Sequence, residues 1–181
     1  MRSLSKIENL GIEMKRVKRN TIQNKLYIGI DNGVSGTIGW TDGVTYGQIK
    51  TPVFKQQNYT KAKGNISRID HCYLMNWLKH LKTNSTFVVI ERPMVNPGRF
   101  KASISAVRAL ESTQLILETL SLPYQFVDSK EWQKEMLAKG IKGDELKKAS
   151  IQVAKRLFPT VECKPDGDGI LMAEWARRSR F

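Results

Sequence analysis

The sequence has few cysteines and histidines and no long apolar run. Its 181 residues include only two cysteines, Cys72 and Cys163, and two histidines, His71 and His80, with no CxxC pair. This scarcity argues against a zinc site and a disulfide framework, and it predicts reduced thiols in an intracellular protein. No stretch approaches the roughly 18 apolar residues of a membrane span, and the polar N-terminus predicts no secretory signal.

Acidic residues are also scarce relative to basic ones. Thirty Lys and Arg face 17 Asp and Glu, which gives a formal net charge of +13. Such an excess attracts polyanions, and nucleic acid is the leading candidate partner. A basic surface that serves only solubility would explain the charge equally well. The motifs must therefore distinguish the two explanations.

The first 24 residues differ from the rest of the chain. They carry six cations against two acids and show sparse apolar spacing. We predict a basic, flexible extension that either contacts a phosphate backbone or is a solvated tail without a role. A mitochondrial transit peptide is a third alternative. Residues 25–181 have a length that suits one domain with a single core.

The rest of the chain alternates between β-prone and helical patterns. Short apolar runs predict five strands, at 26–30, 37–40, 44–49, 87–90 and 124–127. Helical spacing predicts five helices, at about 66–81, 102–120, 129–138 (capped by Ser129), 144–158 and 168–178. Residues 51–64 are predicted to form a loop. Tight turns between the first three strands imply an antiparallel meander, and the βαβ units that follow imply a mixed five-stranded sheet flanked by helices, an α/β fold.

Four carboxylates stand at the ends of these predicted elements. Asp31 follows the first strand, Glu91 follows the fourth, and Asp166 and Asp168 precede the last helix. If the first and fourth strands are parallel neighbours, their carboxyl ends lie side by side, and the last helix can add its aspartates there. Clustered carboxylates repel one another unless cations neutralise them. Oxygen ligands without His or Cys favour Mg²⁺, with Mn²⁺ able to substitute, and two such ions can hydrolyse phosphodiesters.

Most of these carboxylates also have an ordinary structural explanation. Asp31 before Asn-Gly fits turn chemistry. Asp166-Gly-Asp168 fits a loop that ends in a helix cap. Glu91 is harder to explain in this way, because acidic side chains are seldom buried at the end of a core strand without a partner.

Four segments resemble the RuvC-type Holliday junction resolvases. They are 27–36 (YIGIDNGVSG), 88–93 (VVIERP), 147–159 (KKASIQVAKRLFP) and 168–178 (DGILMAEWARR), in the family's order. The third is similar to phage-type members and favours a bacteriophage origin. The resemblance covers about residues 26–178. It implies a ribonuclease-H-like fold, Mg²⁺ dependence and a homodimer that nicks branched DNA to leave 5′-phosphate and 3′-hydroxyl ends.

The same resemblance assigns roles to the carboxylates. Carried over by position, Asp31, Glu91 and Asp168 would be metal ligands. Many members have a further Asp three residues before the last-helix Asp, where this chain has Pro165. Asp166 is the expected substitute.

Two basic segments are the predicted DNA contacts. Residues 92–110 contain no acid and four cations, Arg92, Arg99, Lys101 and Arg108. Phe100 lies between two of them, where it can stack on an unpaired base while the cations hold phosphates, or pack as a helix staple. The second basic segment holds Lys139, Lys142, Lys147 and Lys148. Lys142 and one of Lys147 and Lys148 are expected to contact phosphate. The last two also fit the solvated face of a helix.

Two other classes of protein fit parts of this pattern. The spacing Asp31-x-Gly33-x-x-Gly36-Thr37 also resembles the first phosphate loop of actin and the sugar kinases, but that fold needs two such domains and 181 residues are too few. A catalytically inactive module that binds branched DNA is the other alternative, and the intact acidic set argues against it. We therefore predict a structure-specific endodeoxyribonuclease whose dimer interface is the apolar face of the 102–120 helix.

Overall fold

The computed structural model describes residues 24–59, 61, 63–179 and 181, so the predicted basic extension lies outside them apart from its last residue. The described residues form seven strands: β1 (Leu26–Ile30), β2 (Thr37–Thr41), β3 (Tyr46–Lys50), β4 (Val53–Gln57), β5 (Asn65–Ile69), β6 (Thr86–Glu91) and β7 (Tyr124–Val127). They also form a 3₁₀ helix (Pro97–Arg99) and five α-helices: α1 (His71–Leu81), α2 (Phe100–Thr119), α3 (Ser129–Met136), α4 (Asp144–Leu157) and α5 (Asp168–Ser179).

The main sheet has five strands in the order β3-β2-β1-β6-β7. The first three strands form an antiparallel meander, whereas β6 runs parallel to both β1 and β7. All five residues of β1 are buried, as expected for a central strand that is covered on both faces. The predicted mixed five-stranded sheet is confirmed.

Helices cover both faces of this sheet, and successive residues of a strand contribute to opposite cores. On one face, Ile28 and Ile90 pack with Leu74 of α1 and Leu117 of α2. The other face packs against α3, α4 and α5, and its core contains Tyr27, Val89, Trp132, Ala154 and Met172. None of the helices in the described part of the chain combines the length and the apolar character needed to cross a membrane.

The last helix packs against the sheet at backbone distance because glycines lie where they meet. A Cβ on Gly29 would lie 2.4 Å from the carbonyl oxygen of Gly169, and one on Gly39 would lie 2.2 Å from Cα of Ile170. A Cβ on Gly169 would lie 2.7 Å from the amide nitrogen of Gly39. These distances exclude any side chain. The first turn of α5, which carries Asp168, can therefore reach the end of β1.

Part of the predicted secondary structure was wrong. The segment 51–64 is not a continuous loop, because β4 lies within it and pairs with β5 as a separate two-stranded sheet. The helix predicted from residue 66 begins at His71, since Ile66 and Ile69 belong to β5. The Asp70 side chain caps α1 by accepting a hydrogen bond from the amide of Tyr73 at 3.1 Å.

Two smaller boundary errors come from turn and cap chemistry. The third strand begins at Tyr46 rather than residue 44, because Asp42 accepts hydrogen bonds from the amides of Val44 and Thr45 and closes a turn. Ser129 is the first residue of α3, and Asp128 occupies the cap position.

Candidate active site

The predicted carboxylates lie at the edge of the sheet where its parallel strands end. Asp31 directly follows β1, and Glu91 is the last residue of β6. The register pairs Ile30 with Ile90, so Asp31 and Glu91 occupy adjacent positions at this edge. β1 and β6 are thus parallel neighbours, as the predicted adjacency of Asp31 and Glu91 requires.

Three of the carboxylates form a tight group. Asp31, Asp166 and Asp168 each offer one carboxylate oxygen, and these oxygens all lie within 4.8 Å of one another. Asp166 is almost completely buried, with 2% of its surface exposed, whereas Asp31 and Asp168 are half-buried. Asp166 therefore takes its place beside the other two aspartates. Glu91 lies outside this group but close enough for its charge to act on Asp31.

Polar side chains from the meander hold the segment that carries the two late aspartates. The hydroxyl of Thr37 donates a hydrogen bond to Oδ1 of Asp166 at 2.9 Å, and the amide of Asp168 donates to the same oxygen at 3.3 Å. The Gln48 side chain donates to the carbonyl of Asp166 at 2.8 Å and accepts from the amide of Ile170 at 3.0 Å. The position of Asp166 is thus fixed from two strands.

Helix α4 supports the same segment from the other side. The buried hydroxyl of Ser150 accepts a hydrogen bond from the amide of Gly167 at 3.2 Å and donates one to the carbonyl of Lys147 at 3.2 Å. A Cβ on Gly167 would lie 2.5 Å from Cβ of Ala154. Gly167 therefore allows α4 to approach closely, and the site has a rigid wall here.

Glu91 is oriented from the core by Trp132 of α3. The indole Nε1 of this fully buried side chain donates a hydrogen bond to Oε2 of Glu91 at 3.0 Å. A buried tryptophan has few alternative rotamers in a packed core. The bond therefore fixes the carboxylate at the sheet edge.

Burial and mutual repulsion raise the pKa of three of these carboxyl groups. Burial, followed by the charges of Glu91, Asp168 and Asp166, raises the pKa of Asp31 well above its ordinary value. Burial raises the pKa of Glu91 to about 7, although the Trp132 hydrogen bond opposes the shift. Burial and the charge of Asp166 raise the pKa of Asp168 to about 6. Concentrated negative charge of this kind is what a bound cation would stabilise.

One lysine of the second basic segment lies near the carboxylates. The charge of Lys147 lowers the pKa of both Asp31 and Asp168, which places its ammonium group near the site. Lys142, Lys147 and Lys148 are all exposed, and no such effect on the carboxylates is seen for Lys142 or Lys148. Lys147 is therefore the better placed of the two adjacent lysines to act at this edge.

A groove opens beside Glu91, between the segment that follows β6 and the start of α2. Its lining includes Asn32, Glu91, Asn96, Arg99 and Ser103. Ser103 accepts a hydrogen bond from the amide of Asn96 at 2.9 Å and donates to its carbonyl at 3.0 Å, so the segment is tied to α2. The predicted DNA contact Arg99 thus lies on the same groove as Glu91.

The remaining residues of the first basic segment (92–110) lie at the surface of the protein. Arg92 forms an exposed ion pair with Asp128 at 3.1 Å, Lys101 is exposed, and Arg108 is half-buried. Phe100 is 69% exposed and is the first residue of α2. A hydrophobic staple requires the position before the cap, so the staple explanation for Phe100 is wrong.

Several residues at this edge were missed by the sequence analysis. Thr37, Gln48, Trp132 and Ser150 hold the carboxylates, and the apolar side chains of Met94 and Val95 are exposed in the loop after Glu91. Two apolar residues in a loop next to a candidate site were a usable signal for the latter pair. The hydrogen-bonding residues gave no such signal, because their partners are distant in sequence.

No protein-family model and no curated protein matches the sequence. Among solved structures, the fold is similar to that of T. thermophilus RuvC in complex with Holliday junction substrate, with a TM-score of 0.58 and 11% identity over 86% of this chain and 95% of that one. A further Thermus thermophilus RuvC structure has a TM-score of 0.52, with 11% identity over 86% of this chain and 95% of its own. The chain therefore has a RuvC-like fold, and the predicted ribonuclease-H-like fold is confirmed.

Proposed function

We propose that this protein is a metal-dependent endodeoxyribonuclease that nicks branched DNA. The observation that carries the proposal is the group of three aspartate oxygens within 4.8 Å of one another, at the sheet edge where Glu91 also lies. The likeness to a RuvC solved with a Holliday junction supports a four-way junction as the substrate.

The residues of the site fit a hard divalent cation. The group that the described residues form contains only aspartates, and carboxylate oxygens are the ligands that Mg²⁺ and Mn²⁺ prefer. Oxygens that share one Mg²⁺ lie up to about 4.2 Å apart, so small side-chain rotations would suffice. Asp31, Asp166 and Asp168 would hold the metal, with Glu91 as a further ligand. When bound, a pair of such ions would activate a water molecule and stabilise the leaving oxygen.

The other residues of the site would position the DNA strand and control its charge. Lys147, whose charge acts on Asp31 and Asp168, would hold the phosphate that approaches these carboxylates. In the metal-free protein Glu91 has a pKa of about 7, so it is partly protonated near neutral pH, and a bound cation would favour its charged form. Trp132 keeps it in place through its hydrogen bond.

The groove beside Glu91 would receive the DNA next to the cut. Arg99 lines it, and Phe100 and Met94 are exposed nearby. Arginine can hold phosphates, while exposed apolar and aromatic side chains can stack on unpaired bases. A branch point exposes such bases, whereas continuous duplex does not. Arg92, Lys101, Arg108, Lys142 and Lys148 would add phosphate contacts.

The exposed face of α2 would join two copies of the chain. Ile104, Val107 and Leu115 are exposed apolar residues of this helix. A two-fold dimer would supply the two symmetric nicks that resolution of a four-way junction requires.

A nicking assay tests the proposal. Labelled four-way junction, fork and linear duplex are incubated with the protein and Mg²⁺, and again with EDTA, with an Asp31→Asn variant as the control. We expect nicks in the branched substrates that disappear in EDTA and in the variant. Junction binding without nicking at any Mg²⁺ or Mn²⁺ concentration would instead identify an inactive DNA-binding module.

A further inference from the structure

The hairpin formed by β4 and β5 is a separate element that the proposed nuclease site does not use. Its register runs from Val53 opposite Ile69 at the base to Gln57 opposite Asn65 near the tip. It follows β3, which is parallel to β1 because both are antiparallel to β2. The hairpin therefore leaves the sheet from the edge at which β1 ends and Asp31 follows.

All the charged side chains of this hairpin are positive. The segment 50–69 has no acidic residue, and its five cations, Lys50, Lys55, Lys61, Lys63 and Arg68, are all exposed. None of them forms an ion pair with a carboxylate in the part of the chain that the structure describes. Glu111 of α2 lines the same recess as Arg68 without pairing with it. Exposed cations that form no ion pair create a positive potential that attracts a polyanion.

The cations are distributed around the hairpin rather than confined to one side. Lys55 pairs with Ser67 and Phe54 pairs with Arg68, so Lys55 and Arg68 point to opposite faces. Arg68 lies over the Phe54 ring at 6.0 Å and donates a hydrogen bond to Gln56 at 3.0 Å, which restrains its guanidinium. Tyr59, near the tip, is 93% exposed.

The base of the hairpin is attached to the domain core. Ile69 is buried in the core that contains Leu74 and Leu117. Arg68 and Ser67 line a recess together with Arg108 of α2, so β5 lies against the helix that starts beside the candidate active site. This attachment gives the basic hairpin a fixed position relative to the carboxylates.

We propose that the β4–β5 hairpin is a further DNA-contacting surface, which holds a duplex arm of the substrate by its phosphate backbone. Branched DNA as the substrate rests on the proposed function, but the contact itself needs only a duplex. Charge complementarity selects this partner, and the exposed side-chain amide of Asn65 adds a hydrogen-bond donor for phosphate oxygens. Such a contact adds affinity and orients the arm without reading its sequence.

The test measures binding in EDTA, so that cutting plays no part. The hairpin variant Lys55→Gln/Lys61→Gln/Lys63→Gln/Arg68→Gln is compared with wild type and with a control, Lys130→Gln/Lys134→Gln/Lys155→Gln/Arg156→Gln. The control removes the same charge from exposed positions on α3 and α4, on the opposite face of the sheet. A milder variant, Lys55→Gln/Lys61→Gln, keeps the Arg68 contacts and serves if the fourfold variant does not fold.

We expect the hairpin variant to bind four-way junction and linear duplex at least about tenfold more weakly, by the same factor for both. The slope of log affinity against log salt should fall by about 0.9 for each phosphate that the variant no longer neutralises. Affinity equal to that of the control variant would overturn the proposal. A weakening confined to junctions would assign the hairpin to the crossover, and a change from dimer to monomer would assign it to an interface between copies; either result would also overturn it.

Failure of the nuclease proposal would look different. If wild type nicks no substrate in Mg²⁺ but its duplex affinity depends on the hairpin, the arm contact stands and the nuclease assignment falls. If wild type nicks junctions and the hairpin variant binds DNA like the control, only the arm contact falls.

Discussion

The indole of Trp132 donates a hydrogen bond to Oε2 of Glu91 at 3.0 Å, and through it the core beneath α3 orients a carboxylate at the sheet edge. This bond favours the charged form of Glu91 and opposes the burial that raises its pKa to about 7. The balance between the two effects determines how much of Glu91 is ionised at neutral pH.

Replacing Trp132 by Phe should shift the pH dependence of nicking. Removal of the donor raises the pKa of Glu91 further, so the acid limb of the rate profile moves to higher pH if ionised Glu91 is required. The smaller ring and the missing hydrogen bond should also lower the free energy of unfolding by about 1–3 kcal/mol. Nicking rate against pH at saturating Mg²⁺ measures the first effect, and urea unfolding measures the second.

Trp175 provides a matched control for this substitution. It is also buried, but its indole Nε1 has no hydrogen-bond partner among the described residues. Trp175→Phe should therefore alter stability without moving the acid limb. An unchanged acid limb in Trp132→Phe would mean that ionisation of Glu91 does not control the rate.

The stability of the metal-free protein should fall as pH rises. Asp31, Glu91 and Asp168 have raised pKa values, so the folded state holds protons that the unfolded chain, with ordinary values of 3.8 and 4.5, has already released. Stability therefore decreases with pH between these values and about 7. In EDTA, Tm should be lower at about pH 8 than at about pH 5, and Mg²⁺ should raise it mainly at the higher pH.

Asp168→Asn tests the origin of this pH dependence. The variant lacks one of the repelling charges, so its Tm in EDTA should be higher than that of wild type at neutral pH and should vary less with pH. If the Tm of wild type does not depend on pH, burial and repulsion of the carboxylates do not destabilise the folded state.

The sequence was sufficient to predict the two strands that build the site. β1 and β6 are short, nearly continuous apolar runs, which is the pattern of strands buried on both faces. Once they are taken as parallel neighbours, the adjacency of Asp31 and Glu91 follows. The β4–β5 hairpin was not predictable in the same way, because Ile66 and Ile69 fit the spacing of the following helix as well as a strand.

The supporting hydrogen bonds could not be read from the sequence. Gln48 and Asp166 are 118 positions apart, and Thr37 and Asp166 are 129 apart. No local pattern marks such pairs, since they exist only after α5 has packed on the glycines of β1 and β2. The same packing explains how Asp166, out of register with the family's motif, still joins Asp31 and Asp168.

Asp168→Asn should abolish nicking, because an amide keeps the size of the side chain but loses the charge that would hold the cation. Junction binding should survive or tighten, since one carboxylate facing the phosphate is removed. Asp166→Asn should cripple activity and raise the Mg²⁺ requirement. Its remaining oxygen can still accept the hydrogen bonds from Thr37 and the amide of Asp168, so the fold should persist. Nicking against Mg²⁺ concentration measures both variants.

Glu162→Gln is the control for these substitutions, because Glu162 is a nearby acid with a 79% exposed side chain. It should behave as wild type. Full activity of Asp168→Asn would eliminate the nuclease site as described, and normal activity of Asp166→Asn would restrict Asp166 to holding the loop.

Phe100→Ala should slow cleavage of junctions more than it weakens binding to linear duplex. Stacking on an unpaired base contributes roughly 1–3 kcal/mol and matters only where bases are exposed. Because Phe100 is largely exposed, its removal should change stability by less than about 0.5 kcal/mol. Single-turnover cleavage and duplex affinity are compared with those of Val44→Ala, which removes an exposed apolar side chain from the β2–β3 turn. Equal slowing by both variants would argue against stacking.

Arg99→Ala and Lys101→Ala should act differently from Phe100→Ala. Each removes a cation that would contact phosphate, so binding should weaken for junction and duplex alike, and its salt dependence should decrease. Normal duplex affinity in both variants would leave the groove without a role in holding the backbone.

Finally, Val107→Glu should convert a homodimer into a monomer. Val107 lies with Ile104 and Leu115 on the exposed apolar face of α2, and a buried charge at the centre of a two-fold interface would oppose itself in the partner. The side-chain Nδ2 of Asn32 donates a hydrogen bond to the carbonyl of Ala106 at 3.2 Å, so α2 is tied to the residue that follows Asp31. Pairing of the two α2 helices would therefore fix the spacing of the two sites. Sedimentation of wild type, Val107→Glu and the control Val44→Glu measures the oligomeric state.

The monomeric variant should lose the paired, symmetric nicks on a four-way junction. A wild type that sediments as a monomer, both alone and with junction, would refute the proposed interface.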